Sequence, residues 1–302
     1  MKRTISFTLL VALAVSGAQS KDQQGNSSRT RRDGDLVSVN VLVTDQAGHP
    51  VTDLKQADFH LYDDGVEQAI RTCSVEDAPT SIVIALDTSS SVTFSVPLSK
   101  KIVEKLIQGG NPNDEFALMQ FQSRPALVVS FTSKATQLIS AVDGLRAAGQ
   151  TALLDALQMG GQLAVQGTRA RKALVVISDG VDNHSRASYR EMSRTAMEDG
   201  FPIYAIHLPL QPQAPARFSG GLIEQEILET AARLTGGRTF LVRDAQKVVA
   251  AAETIGSEIR SQYLIGYVPT NKMLDGKVHK IRVQVGGGKK LNLSHRTGYV
   301  SR

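Results

Sequence analysis

The chain has one cysteine and no tryptophan, and aromatic residues make up 5% of its 302 positions. With Cys73 alone, no disulfide can form within the chain, and a protein of this size does not need one. A lone cysteine is more often a small buried apolar residue than a reactive thiol. The shortage of aromatics argues against a stacking platform for sugars or bases. Neither sign of charge dominates: 34 Lys and Arg stand against 29 Asp and Glu, a formal +5. No basic stripe carries interleaved aromatics, so nucleic acid is not an expected partner. Past the first twenty residues, no apolar run is long enough to cross a bilayer. Gly-x-Ser-x-Gly, His-Glu-x-x-His and Gly-x-x-x-x-Gly-Lys-Ser/Thr are all missing, which counts against serine hydrolases, zinc proteases and phosphate-loop enzymes. Gly286-Gly-Gly-Lys-Lys290 lacks the length of a phosphate loop. The expectation is a protein that is not an enzyme.

An apolar fraction of 41% is enough for a sizeable core, and the length suits one large or two modest domains. Residues 1–20 read as a secretory signal peptide: Lys2 and Arg3, an apolar stretch from Ile5 to Val15, then small residues before Ser20. The protein is therefore expected to be secreted or periplasmic. Residues 21–34 are polar and read as a disordered linker, with a short basic cluster at Arg29-Thr-Arg31-Arg32.

Three regions follow. Residues 35–78 read as β, with strands over Leu36–Thr44, Ala57–Tyr62 and Val66–Cys73 separated by turn residues. In residues 79–262, strand-like runs (Ser81–Leu86, Glu115–Phe121, Ala173–Ser178, Pro202–His207, Arg238–Leu241) alternate with helical ones (Val96–Gln108, Lys134–Leu145, Ala152–Gln166, Ser188–Asp199, Gly221–Leu234, Ala245–Ser261). That alternation predicts an α/β fold, a doubly wound, mostly parallel sheet with helices on both faces. Gln211-Pro-Gln-Ala-Pro215 reads as an exposed loop insertion. Residues 263–302 return to β, over Tyr263–Val268, His279–Val285 and Leu291–Val300. Neither terminal set of strands can cover its own apolar face. Both ends are expected to pair into one small β-sandwich with the α/β domain inserted between them.

The candidate chemistry sits at strand ends. Ser81-Ile-Val-Ile-Ala-Leu-Asp87-Thr-Ser89-Ser-Ser91 is an apolar run that stops in a carboxylate and two hydroxyls. A second apolar run, Ala173-Leu-Val-Val-Ile-Ser178, stops at Asp179, and Thr151 opens a helical segment. Ligands of open α/β sheets bind at this carboxyl edge, and hard oxygen donors suit a small divalent cation. Ser, Thr and Asp also cap helices and close turns, which accounts for any one loop but not for all three. Asp182-Asn183-His184-Ser185 reads as a polar loop with turn and capping duties. The six histidines are scattered and read as surface or core residues rather than a cluster.

The three loops together resemble the metal-ion-dependent adhesion site of the von Willebrand factor type A domain. The segment from Val43-Thr-Asp45 to Gly65 is similar to a leader that precedes such domains in a family of secreted bacterial proteins. The resemblance implies metal ligands at Asp87, Ser89, Ser91, Thr151 and Asp179, with Mg²⁺ as the ion and Mn²⁺ or Ca²⁺ as substitutes. It also implies a protein partner whose Glu or Asp carboxylate takes the open coordination position, in adhesion or assembly. Many relatives have Gly where Ser90 stands, so the first loop is slightly stiffer here. Two alternatives remain: a metal-dependent phosphoester hydrolase, and a structural envelope protein with a vestigial metal site.

Overall fold

A computed structural model describes residues 36–75, 77–208, 224–242, 245–271, 275–288 and 290–301. The expected signal peptide, the linker with its basic cluster and the loop insertion lie outside them.

The central sheet has six strands: β5 (Thr80–Asp87), β6 (Glu115–Phe121), β7 (Pro125–Thr132), β8 (Arg171–Ser178), β9 (Ile203–His207) and β10 (Thr239–Leu241). Their order is β10-β9-β8-β5-β6-β7. All neighbours are parallel except β6 and β7. The α/β expectation holds, and β7 is an addition to it. Its residues are half-buried or exposed, where those of the inner strands are almost all buried, as suits a strand at the sheet's edge. It opens on Pro125, which an edge tolerates because no ladder bond is lost there.

Each inner strand feeds two cores. From β5, Ile82, Ile84 and Leu86 face one side and Val83 and Ala85 the other. The first side is covered by α1 (Val96–Gln108), α2 (Ala135–Gly144) and α6 (Ala245–Arg260), through residues such as Ile102, Val142 and Ile255. The second is covered by α3 (Leu153–Val165), α4 (Tyr189–Asp199) and α5 (Glu224–Thr235), through Leu157, Met192 and Leu228. This two-sided burial is why the strands read as unbroken apolar runs. Helix α3 lies close on the sheet: a Cβ added at Gly160 would fall 2.9 Å from Leu174 Cδ1.

The chain ends build two antiparallel sheets of four strands each, ordered β13-β1-β11-β4 and β14-β12-β2-β3. The N-terminal contributions are β1 (Val37–Thr44), β2 (Phe59–Asp63), β3 (Val66–Gln68) and β4 (Ile70–Val75). The C-terminal ones are β11 (Tyr263–Tyr267), β12 (Val278–Val285), β13 (Asn292–His295) and β14 (Gly298–Val300). Val39, Val41 and Val43 pack against Leu61, Ile265, Tyr267 and Val283 in one shared core. The two ends of the chain thus form one β-sandwich, with the α/β domain inserted between them. Two runs that read as single strands are split. Val66–Cys73 breaks at Ala69, and Leu291–Val300 breaks at Arg296-Thr297. Each break lets the chain pass from one sheet to the other. The second break also ties the sandwich to the α/β domain, because the Thr297 N–H donates to the Leu234 carbonyl at 3.0 Å.

Candidate metal centre

The chain leaves β5 for α1 and β6 on one side, and returns as β8 on the other side of β5. The carboxyl ends of β5 and β8 therefore flank the point where the winding reverses, the place where open sheets of this kind leave a crevice. Asp87 ends β5, and Ser178-Asp179 ends β8.

Asp87 is buried and ties the two ends together. Its Oδ1 accepts the Ser89 N–H at 2.9 Å, and its Oδ2 accepts the Ser178 hydroxyl at 2.6 Å. The Ser89 and Ser91 hydroxyl oxygens lie 2.9 Å apart. The next loop clasps the first, since the Ala148 N–H donates to the Thr88 carbonyl and the Ser90 N–H to the Gly149 carbonyl. Gly149 has φ of +74°, and a Cβ there would fall 2.8 Å from Ser123 Oγ, so glycine is required on both counts. Thr151 is buried. Its N–H donates to Asn183 Oδ1 at 2.9 Å, and its carbonyl accepts the Asn183 and His184 N–H groups at 3.0 Å each.

The third loop also caps α3. Ala152 offers no side-chain cap. Instead Asp182 Oδ1 accepts the Leu153 N–H at 2.8 Å and the Leu154 N–H at 3.3 Å. A carboxylate there satisfies orphan donors and faces the positive end of the helix dipole. Asp182 to Ser185 is thus a clamp between loops, in keeping with its capping character. His184 is exposed.

Burial pushes the Asp87 carboxyl up to about 6, helped by the charge of Asp179 and opposed by the Ser178 and Ser89 hydrogen bonds. Asp179 is also raised, chiefly by burial, and the Ser91 hydroxyl draws it part of the way back. Its Oδ1 accepts the Val181 N–H at 3.1 Å. Its Oδ2 is buried and has no hydrogen-bond partner. Among the described residues, no Lys or Arg forms an ion pair with either carboxylate. Two buried carboxylates with no protein cation, beside the Ser89 and Ser91 hydroxyls and with Thr151 on the adjoining loop, fit a small divalent cation.

The structure brings all five predicted residues to one sheet edge. It adds two that sequence reasoning passed over. Ser178 was legible as a hydroxyl at the end of a strand. His207 is buried, its Nε2 2.8 Å from the Asp179 carbonyl oxygen, and only the fold reveals that contact.

A family model described as von Willebrand factor type A domain matches residues 81–254, more than half of the chain. The chain belongs to the von Willebrand factor type A domain family. Among solved structures, a von Willebrand factor type A protein from Catenulispora acidiphila aligns over 87% of this chain and 73% of its own, with a TM-score of 0.52 and 12% identity. Proximal thread matrix protein 1 from the mussel byssus, described with a zinc-occupied MIDAS motif, aligns over 64% of this chain with a TM-score of 0.50 and 21% identity. The match spans 48% of that mussel chain. At these identities the likeness is one of fold. No match was found among curated proteins. Among the described residues, no helix is long and apolar enough to cross a membrane.

Proposed function

We propose that this chain is a divalent-metal-dependent protein-binding protein, not an enzyme, acting outside the cytoplasm in adhesion or assembly. Asp87, Ser89, Ser91, Thr151 and Asp179 would hold the ion, with Mg²⁺ the first choice and Mn²⁺ or Ca²⁺ as substitutes. The observation that carries the reading is Asp179 Oδ2, a buried carboxylate oxygen without a partner. Such an atom is costly to bury alone, and Asp87 beside it shares the need for a cation. When bound, the ion would supply an electrophilic position for a Glu or Asp carboxylate of the partner. Ser89, Ser91 and Thr151 are neutral donors, so they leave more of that positive charge uncancelled than carboxylates would. The zinc described in the MIDAS motif of the mussel protein supports a metal here without fixing its identity. Export rests on the signal-like residues 1–20.

Phosphoester hydrolysis would want further carboxylates around the ion. Among the described residues, the only group of three or more His, Cys, Asp or Glu ligands lies in the β-sandwich instead.

The test is capture of a partner from an envelope fraction, with and without EDTA, followed by its identification. Capture should be lost with EDTA and with Asp179→Ala, while circular dichroism of that variant stays native. Alanine at a single exposed Glu or Asp of the eluted partner should abolish binding. Turnover of a generic phosphoester that disappears in Asp87→Ala would overturn the reading in favour of a hydrolase.

A further inference from the structure

We propose that Asp63, Asp64 and His279 form a second cation site, suited to a transition-metal ion such as Zn²⁺ or Mn²⁺, which clips the two ends of the chain together within the β-sandwich. The proposal is independent of the function proposed above.

The pattern of the two strands points to it first. On β2 the inward positions are Phe59, Leu61 and Asp63, and on β12 they are His279, Ile281 and Val283. Asp63 and His279 are therefore ionisable groups at positions where the alternation calls for apolar ones, and both are buried, at 5% and 4% exposure. A buried polar group is more informative than an exposed apolar one.

Their surroundings hold them in place. Asp63 Oδ2 accepts the Tyr267 and Tyr299 hydroxyls at 2.9 and 3.0 Å. Asp63 Oδ1 is buried with no hydrogen-bond partner. Asp64 sits in the turn after β2 with φ of +48°. Its N–H donates to the Lys280 carbonyl at 2.9 Å, and its Oδ1 accepts the Lys280 N–H at 2.8 Å. That leaves Oδ2, which lies 2.9 Å from His279 Nδ1. The same Nδ1 is 3.9 Å from the orphaned Asp63 Oδ1. The three ligand atoms lie within 4.8 Å of one another.

A hydrogen on Nδ1 cannot complete this arrangement. Nδ1 carries at most one hydrogen, so it can serve Asp64 or Asp63 but not both. A cation at the centre of the three atoms would satisfy all of them. Arg296, whose guanidinium lies 5.5 Å from the Tyr299 ring centroid, offsets part of the Asp63 charge but leaves Oδ1 without a bond.

Two carboxylates and an imidazole favour Zn²⁺ or Mn²⁺ over Mg²⁺. The other ring nitrogen, Nε2, lies 3.6 Å from Asp275 Oδ1 and makes no hydrogen bond. Asp275 is itself fixed by the Lys277 N–H and the Ser301 hydroxyl. At that distance Asp275 favours a ligating imidazole by its charge rather than by a hydrogen bond that orients the ring. Asp64 and His279 are 215 residues apart in sequence, so an ion here would cross-link the chain ends that enclose the inserted domain.

The test uses the full chain carrying Asp179→Ala, which silences the first site, dialysed against EDTA and titrated with Zn²⁺ by calorimetry. One equivalent should bind and raise the melting temperature. Adding Asp64→Asn should remove both effects. Asp64 is half exposed and Asn tolerates its backbone conformation, so that variant should fold even where His279→Ala does not. Asp275→Asn, which removes a nearby negative charge, should weaken Zn²⁺ binding less than Asp64→Asn does. The same comparison of the Asp64 variant under excess Mg²⁺, without the Asp179 substitution, gives a second reading. Equal Zn²⁺ binding with and without Asp64→Asn, or no binding to the Asp179→Ala chain, overturns the proposal.

Discussion

Glu258 lies fully buried on α6 and forms an ion pair with Arg238, whose side chain reaches the surface. Burial pushes its carboxyl up to about 7, with Arg238 opposing the shift. In the unfolded chain a Glu titrates near about 4.3. The native state then holds the proton more tightly than the unfolded state, so stability falls as pH rises between those values. Urea unfolding of the wild type and Glu258→Gln at pH 5 and pH 8, without metal, should show it. The wild type should lose more stability over that interval than the variant, and parallel curves would count against the assignment. At this scale the sequence was informative where a ligand closes an apolar strand run or opens a helical one. Asp87, Ser89 and Ser91 share one loop, and Asp179 closes an apolar run like theirs. Asp64 and His279, or Glu258 and Arg238, belong to different elements, and nothing in local spacing pairs them. The histidines read as scattered because the sandwich register alone brings His279 to Asp63 and Asp64.

Among the elements, β1 has the clearest dependence on the rest of the chain. Both of its neighbours, β11 and β13, come from the C-terminal end. Among the described residues, β4 pairs with β11 alone. A chain truncated after Gln262 should therefore lose amide protection over Val37–Thr44, read by hydrogen exchange, and unchanged protection would show that the N-terminal strands fold alone. Most elements were legible because burial on two faces or one leaves a periodic trace. The continuous runs of β5 and β8 and the alternation of β12 are such traces. β7 was missed because an edge strand with mixed burial carries neither pattern. The breaks at Ala69 and Arg296-Thr297 were missed because a change of sheet is decided by tertiary packing. Residues on either side of each break still look like strand.

At the scale of the molecule, topology puts the candidate site where it is. A sheet that winds outward in both directions from β5 and β8 leaves their carboxyl ends open, and this chain fills that place with two buried carboxylates and three hydroxyls. The sandwich closes the other part of the molecule with both chain ends, so the inserted domain is held at its entry and exit. The central claim is that Asp87, Ser89, Ser91, Thr151 and Asp179 bind one divalent cation. Calorimetric titration of the EDTA-treated chain and of Asp87→Ala with Mg²⁺ tests it most directly, because the imidazole-bearing group at His279 favours other ions. The account predicts saturable heat for one Mg²⁺ per wild-type chain and none for Asp87→Ala. Equal heats for the two proteins, or no heat for either, would contradict it.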